Sequence, residues 1–234
     1  MSRSISPPLL ALALLLLAPE ARAEGPSDAE VTRRLAFISS SLEAGTVAAD
    51  RWWYGWYIGW TTLTVGEVVF ALAAPDRGFR VDSAVGAVSC SLGVIPLGFL
   101  PFVPRTAAAS LRTVPGSTSE ERRRKLLVAE SLLRKSSETE ALGRSWLTHA
   151  LGISVSIGAG LVLGLGYKRP VTGIINSLTG IALTEAQIFT QPTAAIGAWR
   201  AYESGKFEAP KAATNLPRWT IVPQPTGIGV AALF

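Results

Sequence analysis

The sequence predicts an all-α membrane protein: four transmembrane helices arranged as two tandem-duplicated hairpins, each preceded by an amphipathic helix, with an extended C-terminal tail. Three observations carry this. The chain is 48% hydrophobic and only 17% charged, below the roughly 25% charged residues of soluble domains, and its mean hydropathy is +0.33. Four apolar stretches are each about 20 residues long, the length that crosses ~30 Å of hydrocarbon. Finally, three blocks of sequence recur in the same order.

The first segment reads as an address. Arg3, an apolar run from Leu9 to Ala18 and Ala21-Arg22-Ala23 before Glu24 make the pattern of a cleavable secretory signal over residues 1–23. Its apolar core, about ten residues, is too short to span a bilayer. The mature chain is then expected to start outside the cytoplasm.

The duplication sets the domain plan. Glu30-x-x-Arg33-x-Leu35-x4-Ser40-x-Leu42 matches Glu121-x-x-Arg124-x-Leu126-x4-Ser131-x-Leu133, offset by 91 residues. Arg51-x-Trp53-x5-Gly59 matches Arg144-x-Trp146-x5-Gly152, offset by 93, and Phe102-x3-Thr106-Ala107-Ala108 matches Phe189-x3-Thr193-Ala194-Ala195, offset by 87. Self-similarity at a fixed period marks one structural unit used twice. Unit one, residues 24–108, is expected to hold an amphipathic helix over about 28–50 and spans over about 52–74 and 82–104. Residues 109–118, with Pro115 and Gly116, read as a linker. Unit two, 119–200, repeats the plan with an amphipathic helix over about 119–142 and spans over about 146–167 and 171–191. A tail over 201–234 is polar and then extended, since Pro223 and Pro225 exclude a helix there.

Within the units, Leu126, Leu127, Ala129, Leu132 and Leu133 recur at helical spacing among Arg122, Arg123, Arg124 and Lys125. Such a helix either lies along anionic headgroups or packs on the protein. The third span carries Gly152, Ser156, Gly160 and Gly164 every four residues, a small-residue stripe along which helix backbones approach closely. Arg51, Trp53, Arg144 and Trp146 stand at equivalent positions just before or at the start of a span, as interfacial anchors do. Trp53, Trp56, Tyr57 and Trp60 share one helical face, and belt anchoring explains them.

Intramembrane polar residues are the candidate functional positions, because an ionisable side chain at mid-bilayer costs at least ~2.5 kcal/mol. They are Glu67, Glu185, His149 and Asn176. Glu67 and Glu185 each lie in the second half of spans that run in opposite directions, so they are expected at different depths. His149 has no acid or hydroxyl constellation near it in sequence and reads as a hydrogen-bonding interface residue.

No phosphate-cradling glycine loop, nucleophile elbow or protease motif appears in the sequence. Cys90 and His149 are the only cysteine and histidine, so no disulfide, metal or cofactor is expected, and the chain reads as non-enzymatic. Net charge is +5, which in a hydrophobic chain points to anionic lipid headgroups rather than nucleic acid. The expected function is that of an integral membrane protein with a structural or partner-binding role, its partner a membrane protein or a second copy of the chain. The alternative is a small transport or channel subunit using intramembrane carboxylates. The expected location is a bacterial inner membrane, reached through the signal, with both mature termini periplasmic. Basic residues pull both ways on that topology: Arg77, Arg80, Lys168 and Arg169 in the short turns favour it, whereas the basic connection 105–145 opposes it.

Overall fold

The computed structural model describes residues 25–207 and, as backbone, 218–224 and 227–233. The expected signal, 1–23, lies outside the described residues, as do positions 208–217, 225–226 and 234 of the tail.

Helix α1 runs unbroken from Asp28 to Ala73, 46 residues, or about 70 Å at 1.5 Å per residue. The sequence reading expected two helices here, over 28–50 and 52–74. They are one because nothing between them stops a helix: the stretch is alanine-rich, without proline, and has Gly45 as its one breaker. Ser27 starts it by accepting the Glu30 amide at 3.2 Å. The helix is more than twice as long as the ~30 Å hydrocarbon layer of a bilayer.

Helix α2 (Arg77–Phe99) begins and ends about five residues earlier than the expected span 82–104. Asp76 caps its start, accepting the Phe79 amide at 2.7 Å. Pro101 holds Leu100 extended, with ψ of 129°, as a residue before proline must be. The chain then restarts as α3 (Val103–Arg112), with Pro104 in its first turn. Residues 109–112, expected in the linker, therefore belong to a helix whose Ala107, Ala108 and Leu111 are buried.

Helix α4 (Ser119–Gly143) opens on a capping box between Thr118 and Glu121. Ser145 then caps α5 (Trp146–Leu161), which loosens into a π turn over Val162–Gly166. Lys168 takes a positive φ of 57° to reverse the chain into α6 (Pro170–Phe189). Helix α7 (Ala194–Glu203) follows. The first residues assigned to the tail are part of this body, since Phe207 packs against Phe37 and Tyr202.

The amphipathic stripes face one another. The N-terminal half of α1 packs with α3, α4 and α7, burying Ile38 and Leu42 of α1, Leu111 of α3, and Leu126, Ala129 and Leu133 of α4 in one core. Helices α1 and α4 therefore spend their apolar faces on each other rather than on a membrane surface. Beyond this bundle, the C-terminal half of α1 packs on α2, and α5 on α6. Contacts from α2 to α5 and α6 join the two hairpins.

Among the described residues, three helical stretches are long and apolar enough to cross a membrane: α1, Arg77–Arg112 and Trp146–Gly166. Helix α6 is outside this set, its apolar run interrupted by Asn176, Glu185 and Gln187. The outer faces of the hairpins expose Ile58, Val69, Val88, Leu151 and Val155, side chains that water would not favour. At the C-terminal end, strand β1 (Arg218–Gln224) pairs antiparallel with β2 (Gly227–Leu233), Pro223 standing opposite Ile228. The backbone is extended in both segments, which pair as a hairpin, and Pro223 is tolerated because both strands of a two-stranded ribbon are edges.

Candidate functional site: a polar seam across the hairpins

Glu185 and His149 meet. The helices carrying them cross closely, because the small-residue stripe of α5 faces small residues of α6. Gly152 receives the Thr184 side chain, Ser156 sits against Gly180, and Gly160 lies on the Gly173 backbone and the Ser177 hydroxyl. Gly164 continues the line to Gly173 and Pro170. That crossing brings His149, one turn into α5, to the last turn of α6, where its Nδ1 lies 2.7 Å from Glu185 Oε2. The His149 ring also rests on Phe189, with centroids 5.5 Å apart. Glu185 Oε1 is buried and has no hydrogen-bond partner. The sequence reading weighed the two residues separately, and their 36-residue separation hid the pair.

One turn on, the indoles of α1 reach the same end of α6. Trp52 Nε1 donates to the Gln187 carbonyl, Trp56 Nε1 to Thr190 Oγ1 and Trp60 Nε1 to Gln187 Oε1, each at 3.0 Å. Trp53 Nε1 donates instead to the Leu97 carbonyl of α2, also at 3.0 Å, and its ring stacks on Tyr57. The sequence reading assigned Trp53, Trp56 and Trp60 to a lipid belt; their indole N–H groups, with that of Trp52, also bolt α1 to α2 and α6, since a shielded indole N–H takes an acceptor within reach. Trp60, at 6% exposed, is buried over Gly93 of α2, whereas Trp146, at 78%, does face outward. Replacing Trp60 by phenylalanine removes both the donor and part of a buried ring. It should cost about 2 kcal/mol, roughly 1 for the interhelical hydrogen bond and the rest for the vacated space; thermal unfolding in detergent measures it, and an unchanged midpoint would deny the bolt.

The two candidate anchor arginines have different surroundings. Arg144 Nη1 donates to the carbonyls of Ile188, Phe189 and Gln191 at 3.1, 3.1 and 3.2 Å, closing the C-terminal end of α6 where a cation is favourable. Arg51 is exposed. The corresponding joint in the first half is held by Arg105, which sequence reasoning did not single out. It pairs with Asp50 at 2.8 Å and lies over the Trp53 and Tyr54 rings at 3.9 and 4.7 Å.

Glu67 keeps separate company. Its carboxyl group is wedged against Gly86 of α2, toward the turn end of the first hairpin, whereas Glu185 lies toward the bundle. Asn176 is half-buried on α6, about two and a half turns before Glu185. A third acid, Asp82, was missed: Arg169 grips it with two bonds, Nε to Oδ1 at 2.8 Å and Nη2 to Oδ2 at 2.7 Å, tying the turn of the second hairpin to the second turn of α2. Within the bundle, Tyr202 donates to Glu130 beside Arg34; burial and then that carboxylate push the Tyr202 hydroxyl up to about 12.

The seam therefore holds a half-buried, hydrogen-bonded imidazole–carboxylate pair, framed by indole donors and an arginine-capped helix end. Comparisons with protein-family models, curated proteins and solved structures find no match to this chain.

Proposed function

We propose that this chain is a non-enzymatic integral membrane protein with a structural or partner-binding role. In this reading four spans, formed by two tandem-duplicated hairpins, hold an extramembrane four-helix bundle at the bilayer surface. The observation that carries it is the two-part build: a bundle that closes its own core, continuous through α1 with hairpins whose outward faces are apolar. The fourth span is supported by the exposure of Val171, Ile174, Ile175, Leu178 and Phe189 on α6, which would otherwise face water. The duplication is supported by packing, since α1 packs on α3 as α4 packs on α7, with the long helix and first hairpin limb fused into α1 in the first half and separate in the second. The signal pattern and the cations of the two turns support a bacterial inner membrane with the bundle and both termini periplasmic. The bilayer itself, with its anionic headgroups, and a membrane protein or second copy are the partners this reading requires.

Crosslinking and mass spectrometry in native membranes test it. Crosslinks from the bundle to one reproducible protein or to a second copy of the chain are expected; crosslinks confined to single copies, with no dimer band, would remove the partner-binding reading. Protease access to 113–118 in the same vesicles decides orientation.

A second reading, a transport or channel subunit, is favoured by the His149–Glu185 pair and its unpartnered carboxylate oxygen. Glu185→Gln, His149→Gln and Glu67→Gln separate the two. The structural reading expects normal insertion and no change in proton or cation flux across proteoliposomes. A flux in the parent protein that falls tenfold or more in Glu185→Gln would establish transport instead.

A further inference from the structure

The four helices of the bundle converge on a small chamber just outside the membrane hairpins. Ser41 comes from α1, Pro104 from α3, Ser136 and Glu140 from α4, and Ala195 from α7. All three polar side chains are more than nine-tenths buried: Ser41 at 6%, Ser136 at 0% and Glu140 at 1% exposed. Neither serine hydroxyl has a hydrogen-bond partner among the described residues. Ser136 precedes Glu140 by one helical turn, so both point into the same space.

Glu140 also completes a helix. The N-cap residue of α7, Thr193, makes no side-chain capping bond. Glu140 Oε2 accepts the Ile196 amide at 3.0 Å instead, the third-residue amide that a capping side chain ordinarily takes. On the other side, the Glu140 carbonyl accepts from Gln191 Nε2 at 3.0 Å, and the Gln191 carbonyl accepts from Arg144. One residue thus joins α4, the first turn of α7 and the capped end of α6.

We propose that this chamber is a binding site for one water molecule and one proton, held by Ser41, Ser136 and Glu140. A buried water needs two to four polar partners, and the site offers two orphaned hydroxyls and a carboxylate around space for about one water. A metal cation is the poorer occupant, because the α7 amides already present positive charge to the only acid in the chamber. The proton follows from competing forces. Burial pushes the Glu140 carboxyl up to about 7, against the lowering effect of the Ile196 and Ala195 amides. No charged side chain contributes. Glu43 of α1 faces Arg112, Asp50 of α1 holds Arg105 of α3, Arg144 of α4 is taken by carbonyls, and Arg200 of α7 is exposed.

The sign is that of an acid with a raised folded-state value. Between about 4.5 and 7 the folded chain retains a proton that the unfolded chain has lost. Stability falls as pH rises through that window and levels off above it.

The test is an infrared titration of the full chain in nanodiscs from pH 5 to 9. A protonated-carboxyl band should disappear with a midpoint near 7, be absent from Glu140→Gln, and shift upward by about half a unit in Ser136→Ala as the water loses a partner. The melting temperature of the parent should fall by several degrees between pH 5 and 8, while that of Glu140→Gln stays level over the same range. The parent titration needs no variant to fold. A parent with no such band, or a band retained in Glu140→Gln, overturns the proton site; an unmoved midpoint in Ser136→Ala overturns the water.

Discussion

Gly173→Val is expected to break the second hairpin. A Cβ at Gly173 would strike the Gly160 carbonyl oxygen and come within 3.0 Å of the Gly164 amide nitrogen. Both are backbone atoms, and neither can rotate away. Helices α5 and α6 would have to separate along the whole stripe, withdrawing Thr184 from Gly152 and Glu185 from His149. The cost should reach ~3 kcal/mol, the upper part of the range for overpacking. Gly158, on the same helix as Gly160 but with open space around it, is the control: Gly158→Ala should stabilise by about 0.5–1 kcal/mol through helix propensity alone. Unfolding of the reconstituted protein compares the two. Equal stability of Gly173→Val and parent would mean that the helices do not cross on these glycines.

The second large effect is expected at the turn end of the hairpins. Arg169→Ala leaves Asp82, only 14% exposed in its side chain, without its bidentate partner. Stranding that charge is expected to lower the unfolding midpoint measurably, though less than for a fully buried pair, because Arg169 itself is open to solvent. Arg169→Lys should recover little of it, since an ammonium cannot reproduce the two-bond fork. The double variant Arg169→Ala with Asp82→Ala should be more stable than the sum of the single losses predicts, the signature of a direct pair. Strict additivity would show that the contact contributes nothing.

The two predictions differ in how far the sequence could anticipate them. Gly152, Ser156, Gly160 and Gly164 announce a packing face because helical period alone puts them in line. Asp82 and Arg169 stand 87 residues apart, and no local pattern relates them. The same division runs through the seam. Glu185 and His149 could each be marked as costly in a span, but whether they meet depends on the register of α5 against α6. The tryptophans of α1 could be seen to share a face. What their indoles donate to depends on where α2 and α6 end.

Boundaries failed where the deciding force was not local. The start of α4 was legible because Thr118 and Glu121 form a capping box, which acts within one turn. The continuity of α1 was not, because a change from a charged to an aromatic surface looks like a boundary while the backbone meets no obstacle. Residues 109–112 read as linker from their neighbours Pro115 and Gly116, yet Leu111 is drawn into the core against α1 and α4.

By itself, then, the sequence determined the helical, membrane-associated character of the chain, the positions of most helices and the stripe on which α5 packs. Each follows from composition or from a period of 3.6 residues, properties a segment has alone. Only the tertiary structure decided that the amphipathic faces close on one another, that His149 finds Glu185 and that Glu140 caps α7 inside a chamber of four helices. These contacts join residues from separate elements, and their geometry exists only once helices of fixed length and crossing have been set side by side.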